Sequence, residues 1–189
     1  MLRLLEQRRS EDNDAALELE ARTHIKSLTL LNQLVLHMSK QSGWARTSVL
    51  EADVFHDNKR ATFELDAVAG TLKSPTCCIQ KERLGHASLC KGVRVTLSSE
   101  IPCEVPTSIL DHVSGERDAE DVMIRRKYRI SFMKEGWRCD FTIALQEDES
   151  SERSQLKYEA EVEIPARLGP GDQETIRKNV RQIFRMTEK

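Results

Sequence analysis

Tyr158-Glu159-Ala160-Glu161-Val162-Glu163-Ile164 alternates carboxylate and apolar side chains without a break. Side chains two residues apart share one face of a strand, so this segment reads as a β-strand with three glutamates on one side and a hydrophobic opposite side. A helix would spread both sets around its axis. Near the other end of the chain, Ala16-Leu17-Glu18-Leu19-Glu20-Ala21 repeats the pattern with Glu18 and Glu20 on one face. A single such strand fits the wet face of an antiparallel sheet. Two purely acidic faces are harder to place in water, because like charges two residues apart repel and solvated faces normally mix signs. They point instead to a divalent-cation site, since hard ions such as Mg²⁺ and Mn²⁺ prefer carboxylate oxygens.

A basic counterpart lies between them. Arg125-Arg126-Lys127-Tyr128-Arg129-Ile130-Ser131-Phe132 places Arg125, Lys127 and Arg129 on one strand face and Arg126 on the other. The next strand carries Arg138, Asp140 and Thr142 on one face, with Trp137, Cys139 and Phe141 opposite. Arg60 opens another strand, Lys81 and Arg83 share a face of Ile79–Leu84, and Arg94 and Glu100 lie at even separation in Val93–Glu100. Taken singly, each cation is an ordinary solvated residue. Taken together, the rows fit the inside of one closed barrel, where acids hold metal and bases hold a polyanion beside it. Charge removed from water is tolerated there because it is paired.

The rest of the chain is consistent with such a sheet. Strands are expected at 48–55, 59–65, 76–83, 92–99, 125–133, 137–145 and 156–164, with hairpin turns at His56-Asp57-Asn58 and Lys134-Glu135-Gly136. Ile25, Leu28, Leu31, Val35 and Met38 recur at helical spacing, predicting an amphipathic helix over 24–40 that covers the sheet and ends at Gly43. Residues 104–123 read as a loop or short helix, and Ser150–Ser154 as a polar linker. A last helix is expected after Pro170-Gly171, with Asp172 as N-cap and Ile176, Val180, Ile183 and Phe184 as its apolar stripe. About eight strands with few helices suggest a mainly β antiparallel barrel or sandwich. The expected division is a flexible or frayed segment over 1–13 and one domain over 14–189, a length that suits a single core.

Composition removes several alternatives. Lys+Arg is 29 and Asp+Glu is 31, a formal net charge of −2, so phosphate binding must come from local arrangement rather than an overall basic surface. Two Trp, two Tyr and five Phe leave little material for the stacking platform of a non-catalytic RNA-binding module. The five cysteines are odd in number and include no C-x-x-C pair, which argues for small hydrophobes in a reducing compartment rather than a disulfide framework or zinc ribbon. The five histidines lack ligand spacing. No run of about 18 apolar residues suggests a membrane helix, and Met1–Asp14 turns acidic too soon for a signal peptide.

Leu17-Glu18-Leu19-Glu20-Ala21-Arg22, then Arg60-Ala61-Thr62-Phe63, Ile79-Gln80-Lys81-Glu82-Arg83 and Glu100-Ile101-Pro102, then Arg125-x-Lys127-x-Arg129 and Arg138-x-Asp140-x-Thr142, then Glu159-x-Glu161-x-Glu163 occur in that order. In this succession the chain resembles the triphosphate tunnel metalloenzymes, specifically the metal-dependent RNA 5′-triphosphatases of fungi, protozoa and some DNA viruses, and is similar in size to the small protozoal form. Arg22 stands where many tunnel enzymes of the wider superfamily carry lysine.

The resemblance implies a closed antiparallel eight-stranded barrel with amphipathic helices packed outside. It implies an enzyme of mRNA capping that removes the γ-phosphate of triphosphate-ended RNA, with Mg²⁺ or Mn²⁺ as cofactor and NTP hydrolysis with Mn²⁺ as a side activity. It implies metal ligands Glu18, Glu20 and Glu163, and phosphate ligands Arg60, Lys81, Arg94, Arg125, Lys127 and Arg129. Glu100 would orient or deprotonate the attacking water. Glu159 and Glu161 would organise metal-bound waters and basic neighbours, and Arg138 and Asp140 would hold the glutamate rows in place. The implied partners are triphosphate RNA and an RNA guanylyltransferase of the same pathway, in the nucleus, or in the cytoplasm for a viral enzyme. Monomer and homodimer both stay open. The alternative within the same fold is a hydrolase of thiamine triphosphate or inorganic tripolyphosphate.

Overall fold

The computed structural model describes residues 16–90, 92–116, 122–146 and 154–164, together with Val180. Ten elements follow in order: β1 (Ala16–Ile25), α1 (Leu28–Ser39), β2 (Ala45–His56), β3 (Lys59–Leu65), β4 (Leu72–Cys90), β5 (Val93–Pro102), α2 (Thr107–Ser114), β6 (Met123–Lys134), β7 (Trp137–Gln146) and β8 (Gln155–Ile164). The strands close into one antiparallel barrel in the order β1-β5-β4-β3-β2-β6-β7-β8, and β8 pairs back onto β1. The two acidic strands, remote in sequence, are therefore neighbours: Glu20 stands opposite Glu163, Arg22 opposite Glu161 and His24 opposite Glu159.

Closure decides which face is inside, and period two does the rest. The alternating charged rows of β1, β6, β7 and β8 point inward, and Arg126 of β6, out of phase, points outward. Most of their apolar alternates point outward into a hydrophobic core, with Tyr128 and Leu156 exposed. Leu19, Ala21, Val95, Leu97, Phe132, Phe141, Ala160 and Val162 pack beneath α1, whose Leu31, Leu34, Val35 and Met38 are buried against them together with Val180. Phe132 and Phe141 meet edge to face with centroids 5.9 Å apart. A second, smaller core covers the outside of β2, β3 and β4: Val54, Ala61, Phe63 and Cys78 pack with Ile109 of α2 and Val122. Both cores lie outside the barrel, which leaves its interior to polar side chains.

The start of α1 and the ends of α1 and α2 have identifiable causes. Ser27 caps α1 by accepting the Leu30 N–H at 3.2 Å. The helix ends at Ser39 rather than at Gly43, and Lys40 closes it by donating to the carbonyl of His37. Gly43 instead supplies a φ of 79° in the turn into β2. The expected loop or helix over 104–123 holds α2, and Gly115 ends it in the left-handed region. The hairpin turn before β3 puts Asp57 at φ 53°, and the turn before β7 puts Glu135 and Gly136 at 50° and 85°. β4 runs well beyond the expected 76–83, because bulges between Arg83 and Gly85 and between Ser88 and Cys90 carry it past interruptions in its alternation. Residues 1–13, most of the 150–154 linker and the last helix from Pro170 lie outside the described residues, Ser154 and Val180 excepted.

Candidate active site

Inside the barrel the charges form linked ion pairs. On the β1/β4/β5 side, Lys81 Nζ donates to Glu18, lies 2.9 Å from Glu100 and reaches to 3.9 Å from Glu20. Arg60 approaches the same Glu100 at 3.6 Å. Beside them, Arg22 bridges Glu161 at 2.7 Å and Glu20 at 3.2 Å. Arg125 pairs with Glu159, which also has His24 at 3.8 Å. On the β2/β6/β7 side, Lys127 pairs with Asp53 and lies 3.1 Å from Glu51, and Arg129 takes Glu51 at 3.3 Å and Asp140 at 3.6 Å. Arg138 donates to Asp140 at 3.0 Å. Thr62 donates to the other oxygen of Asp53 at 2.8 Å.

These contacts set the protonation of the site. Burial raises the Glu20 carboxyl, helped by Glu161 and Glu18 and opposed by Arg22 and Lys81. Glu163 is raised in the same way, by burial first and then by Glu18. Burial also opposes ionisation of Glu100, but Lys81 and Arg60 outweigh it and hold this carboxyl below its ordinary range. Lys81 is raised because Glu18, Glu100 and Glu20 outweigh its own burial. Lys127 is lowered: burial dominates, Arg129 adds to it, and Asp53 and Glu51 offset only part. Asp53 is lowered, its burial outweighed by Lys127 and Arg60.

One end of the barrel opens into a cavity of about 600 Å³. Its lining includes Arg22, Arg60, Lys81, Arg83, Arg94 and Arg125, with Glu20 at its wall. The deeper cations are paired with carboxylates as described above, whereas Arg83 and Arg94 make no ion pair among the described residues. This is a cation-rich chamber next to a carboxylate row.

The expected site residues all face this interior, in two groups. Glu20, Arg60, Lys81, Arg94 and Arg125 line the cavity; Glu18, Glu100, Glu159 and Glu161 pair with its lining cations, and Glu163 stands opposite Glu20. Lys127, Arg129, Arg138 and Asp140 belong to the network on β2, β6 and β7. Sequence reasoning missed Glu51 and Asp53, whose signal was present in Glu51-Ala52-Asp53-Val54-Phe55, acid and apolar in alternation. It also gave no role to His24, and none to Arg22 beyond its place in the glutamate motif. Among the described residues no three Asp, Glu, His or Cys side chains converge on a common metal position. Lys81 stands among the acids instead. The donor set still suits a hard cation: carboxylate oxygens of Glu18, Glu20 and Glu163 on adjacent strands, with Glu20 and Glu163 raised by burial first and by Glu18 among the nearby acids.

The model of one protein family, described as mRNA capping enzyme, beta chain, matches residues 10–186. The chain belongs to this family. No curated protein matches it. Among solved structures, the RNA triphosphatase Pct1 of Schizosaccharomyces pombe superposes with a TM-score of 0.65 at 14% identity, over 97% of this chain and 89% of that one. The Mimivirus capping enzyme triphosphatase gives 0.60 at 14% identity, over 97% and 96%. A structure of the S. pombe Mediator head module also matches, at 0.54 and 10% identity over 90% and 95%. At these identities the likeness is one of fold. In this family member, chemistry has to be argued from the charged interior.

Proposed function

We propose that this capping-enzyme family member is an RNA 5′-triphosphatase, hydrolysing the γ-phosphate of triphosphate-ended pre-mRNA to leave the diphosphate end that capping requires. The observation that carries the reading is the cavity lined by six cations, with Glu20 at its wall and the other carboxylates of β1 and β8 beside it. Phosphoryl transfer depends on positioning and on neutralising charge more than on covalent chemistry, and this chamber offers both.

Glu18, Glu20 and Glu163 are the residues that would hold a divalent cation, Mg²⁺ or Mn²⁺; the ion, when bound, polarises the γ-phosphate and offsets charge. Arg60, Lys81, Arg94 and Arg125 bind phosphate oxygens, the guanidinium groups in bidentate fashion. Entering phosphate exchanges places with the Glu51 carboxylate on Lys127 and Arg129, which completes the clamp. Glu100 accepts a hydrogen bond from the attacking water. Its lowered pKa makes it a weak base, so its role is orientation. Glu161 and Glu159 position water and hold Arg22 and Arg125, while Arg138 and Asp140 fix the wall behind them. An RNA guanylyltransferase consumes the diphosphate end, and capping of nascent transcripts places the protein in the nucleus, or in the cytoplasm for a viral chain.

The test is phosphate release from triphosphate-ended RNA with and without Mg²⁺ or Mn²⁺, with ATP, tripolyphosphate and thiamine triphosphate as competitors. Metal-dependent release with preference for RNA supports the reading. Preference for tripolyphosphate or thiamine triphosphate moves the chain to the other hydrolases of this fold, and absence of hydrolysis with all of them overturns it.

A further inference from the structure

Nothing in the charged interior uses the cysteines. Cys77, Cys78, Cys103 and Cys139 are free thiols, and two of them meet on the outer face of the barrel. The sulfurs of Cys78, on β4, and Cys103, just past the end of β5, lie 3.4 Å apart. The backbone brings them together: Ile79 stands opposite Pro102 in the β4–β5 ladder, and the next amide, Cys103 N–H, donates to the Cys78 carbonyl at 3.0 Å. Residues opposite each other on antiparallel strands have Cα atoms about 4.5–5.5 Å apart. A disulfide needs about 4.4–6.8 Å. Continuation of the ladder and the 3.4 Å between the sulfurs put the pair within reach of a bond of about 2.05 Å.

We propose that Cys78 and Cys103 form a modification site, a dithiol that a low-molecular-weight disulfide of the glutathione class oxidises to an intramolecular cross-link. Cys78 is buried among Val54, Ala61, Phe63 and Ile109, whereas Cys103 lies at the edge of that cluster. Cys103 is thus the entry point. Its thiolate attacks one sulfur of the small disulfide; that S–S bond breaks, and the first small thiolate leaves and takes up the proton Cys103 had lost. The product is a mixed disulfide on Cys103. Cys78 then gives its proton to solvent, and its thiolate attacks the Cys103 sulfur and displaces the second small thiolate, which is protonated in turn. Two protein thiols are oxidised and one small disulfide is reduced to two thiols. Burial and the contact with Cys103 push the Cys78 thiol up to about 11, so this second step is the slow one and quickens with pH. The bond fastens the chain entering α2 to β4, three residues along from the Lys81–Glu100 pair, and constrains the unfolded chain between 78 and 103.

The experiment incubates the whole reduced protein with oxidised glutathione at mildly alkaline pH, then quenches with acid and maps peptides by mass spectrometry. The expected product in the wild type is a Cys78–Cys103 cross-linked peptide, reversed by dithiothreitol, with a thermal midpoint several degrees above that of the reduced form. Cys78→Ser should stop at glutathione on Cys103, and Cys103→Ser should give no cross-link to residue 78. Three wild-type results overturn the proposal: stable glutathione on Cys103 beside a reduced Cys78, a Cys78–Cys77 product, or both thiols unreacted after exposed Cys77 has been modified. The wild-type map decides by itself, so the test does not depend on either variant folding.

Discussion

The ammonium of Lys81 lies 2.9 Å from Glu100 across the β4–β5 ladder and donates to Glu18 on β1 as well. One side chain thereby neutralises carboxylates from two neighbouring strands, and it does so at the cavity wall.

Removing that charge should damage both folding and chemistry. Lys81→Met removes the cation that Glu18, Glu20 and Glu100 share, while Arg22 and Arg60 still reach Glu20 and Glu100. A loss of about 1–3 kcal/mol in stability is expected by chemical denaturation in metal-free buffer. Added Mg²⁺ or Mn²⁺ should restore part of it, because carboxylates freed of the lysine bind the ion more readily. Phosphate release from triphosphate RNA should still fall by at least about 100-fold. A variant as active as the wild type removes Lys81 from the phosphate clamp.

Glu163→Gln tests the cost of the acidic row. A carboxyl raised in the folded state stabilises the fold below its unfolded pKa and ceases to do so as pH rises through its folded pKa. The metal-free wild type should therefore lose stability relative to Glu163→Gln as pH climbs from the ordinary carboxylate value of 4.5 through the raised one. Thermal midpoints of both proteins across that range check it. Parallel curves would show that Glu163 carries no such penalty. The same substitution should weaken Mn²⁺ binding measured by calorimetry.

Asp53 and Lys127 are buried, at 2% and 3% exposure, and join β2 to β6. Lys127→Met leaves the buried Asp53 without its ion-pair partner and should cost about 3–5 kcal/mol, whereas Asp53→Asn leaves Lys127 with Glu51 at 3.1 Å and should cost less. The double variant should cost clearly less than the sum, since no unpaired charge is left. Additive losses in urea unfolding would mean that the two groups do not stabilise each other.

Parity along β6 gives a sharper test of the site. Arg125, Lys127 and Arg129 face the interior, while Arg126 sits opposite Ala52 and Leu145 on the outer side. Arg126→Ala should change hydrolysis by less than about twofold. Arg125→Ala and Lys127→Ala should each reduce it by tenfold or more, and Arg129→Lys should lose much of its activity because lysine cannot hold two oxygens in a plane. Equal, salt-sensitive losses at all four positions would instead describe a diffuse basic surface.

Much of this could be read in the chain. Strict alternation in Leu17–Ala21 and Tyr158–Ile164 gave both the strands and the inward face, because period two leaves a charged row no other side to occupy. The helical spacing of Leu31, Val35 and Met38 likewise announced the outer cover, although Ile25 of the same series lies on β1 and Leu28 is exposed. Pairing was harder. That β2 lies between β3 and β6, and so brings Glu51 and Asp53 to Lys127, depends on barrel closure, which no local pattern encodes. For the same reason Lys127 and Arg129 looked like free phosphate ligands, although each has carboxylate neighbours. The length of β4 was hidden by its bulges, since a bulge shifts the alternation by one residue.

Because both apolar clusters sit outside the strands, the wall of the barrel separates two kinds of information one residue thick. Odd-numbered positions of β1, such as Leu19 and Ala21, answer to packing under α1; the even-numbered ones, Glu18, Glu20 and Arg22, answer to charge balance. Variation at the second set can redirect what the chamber binds without reopening the shell that keeps it folded. On the strands without a bulge, a substitution's numerical parity thus tells an experimenter in advance whether to reach first for a melting curve or for an activity assay.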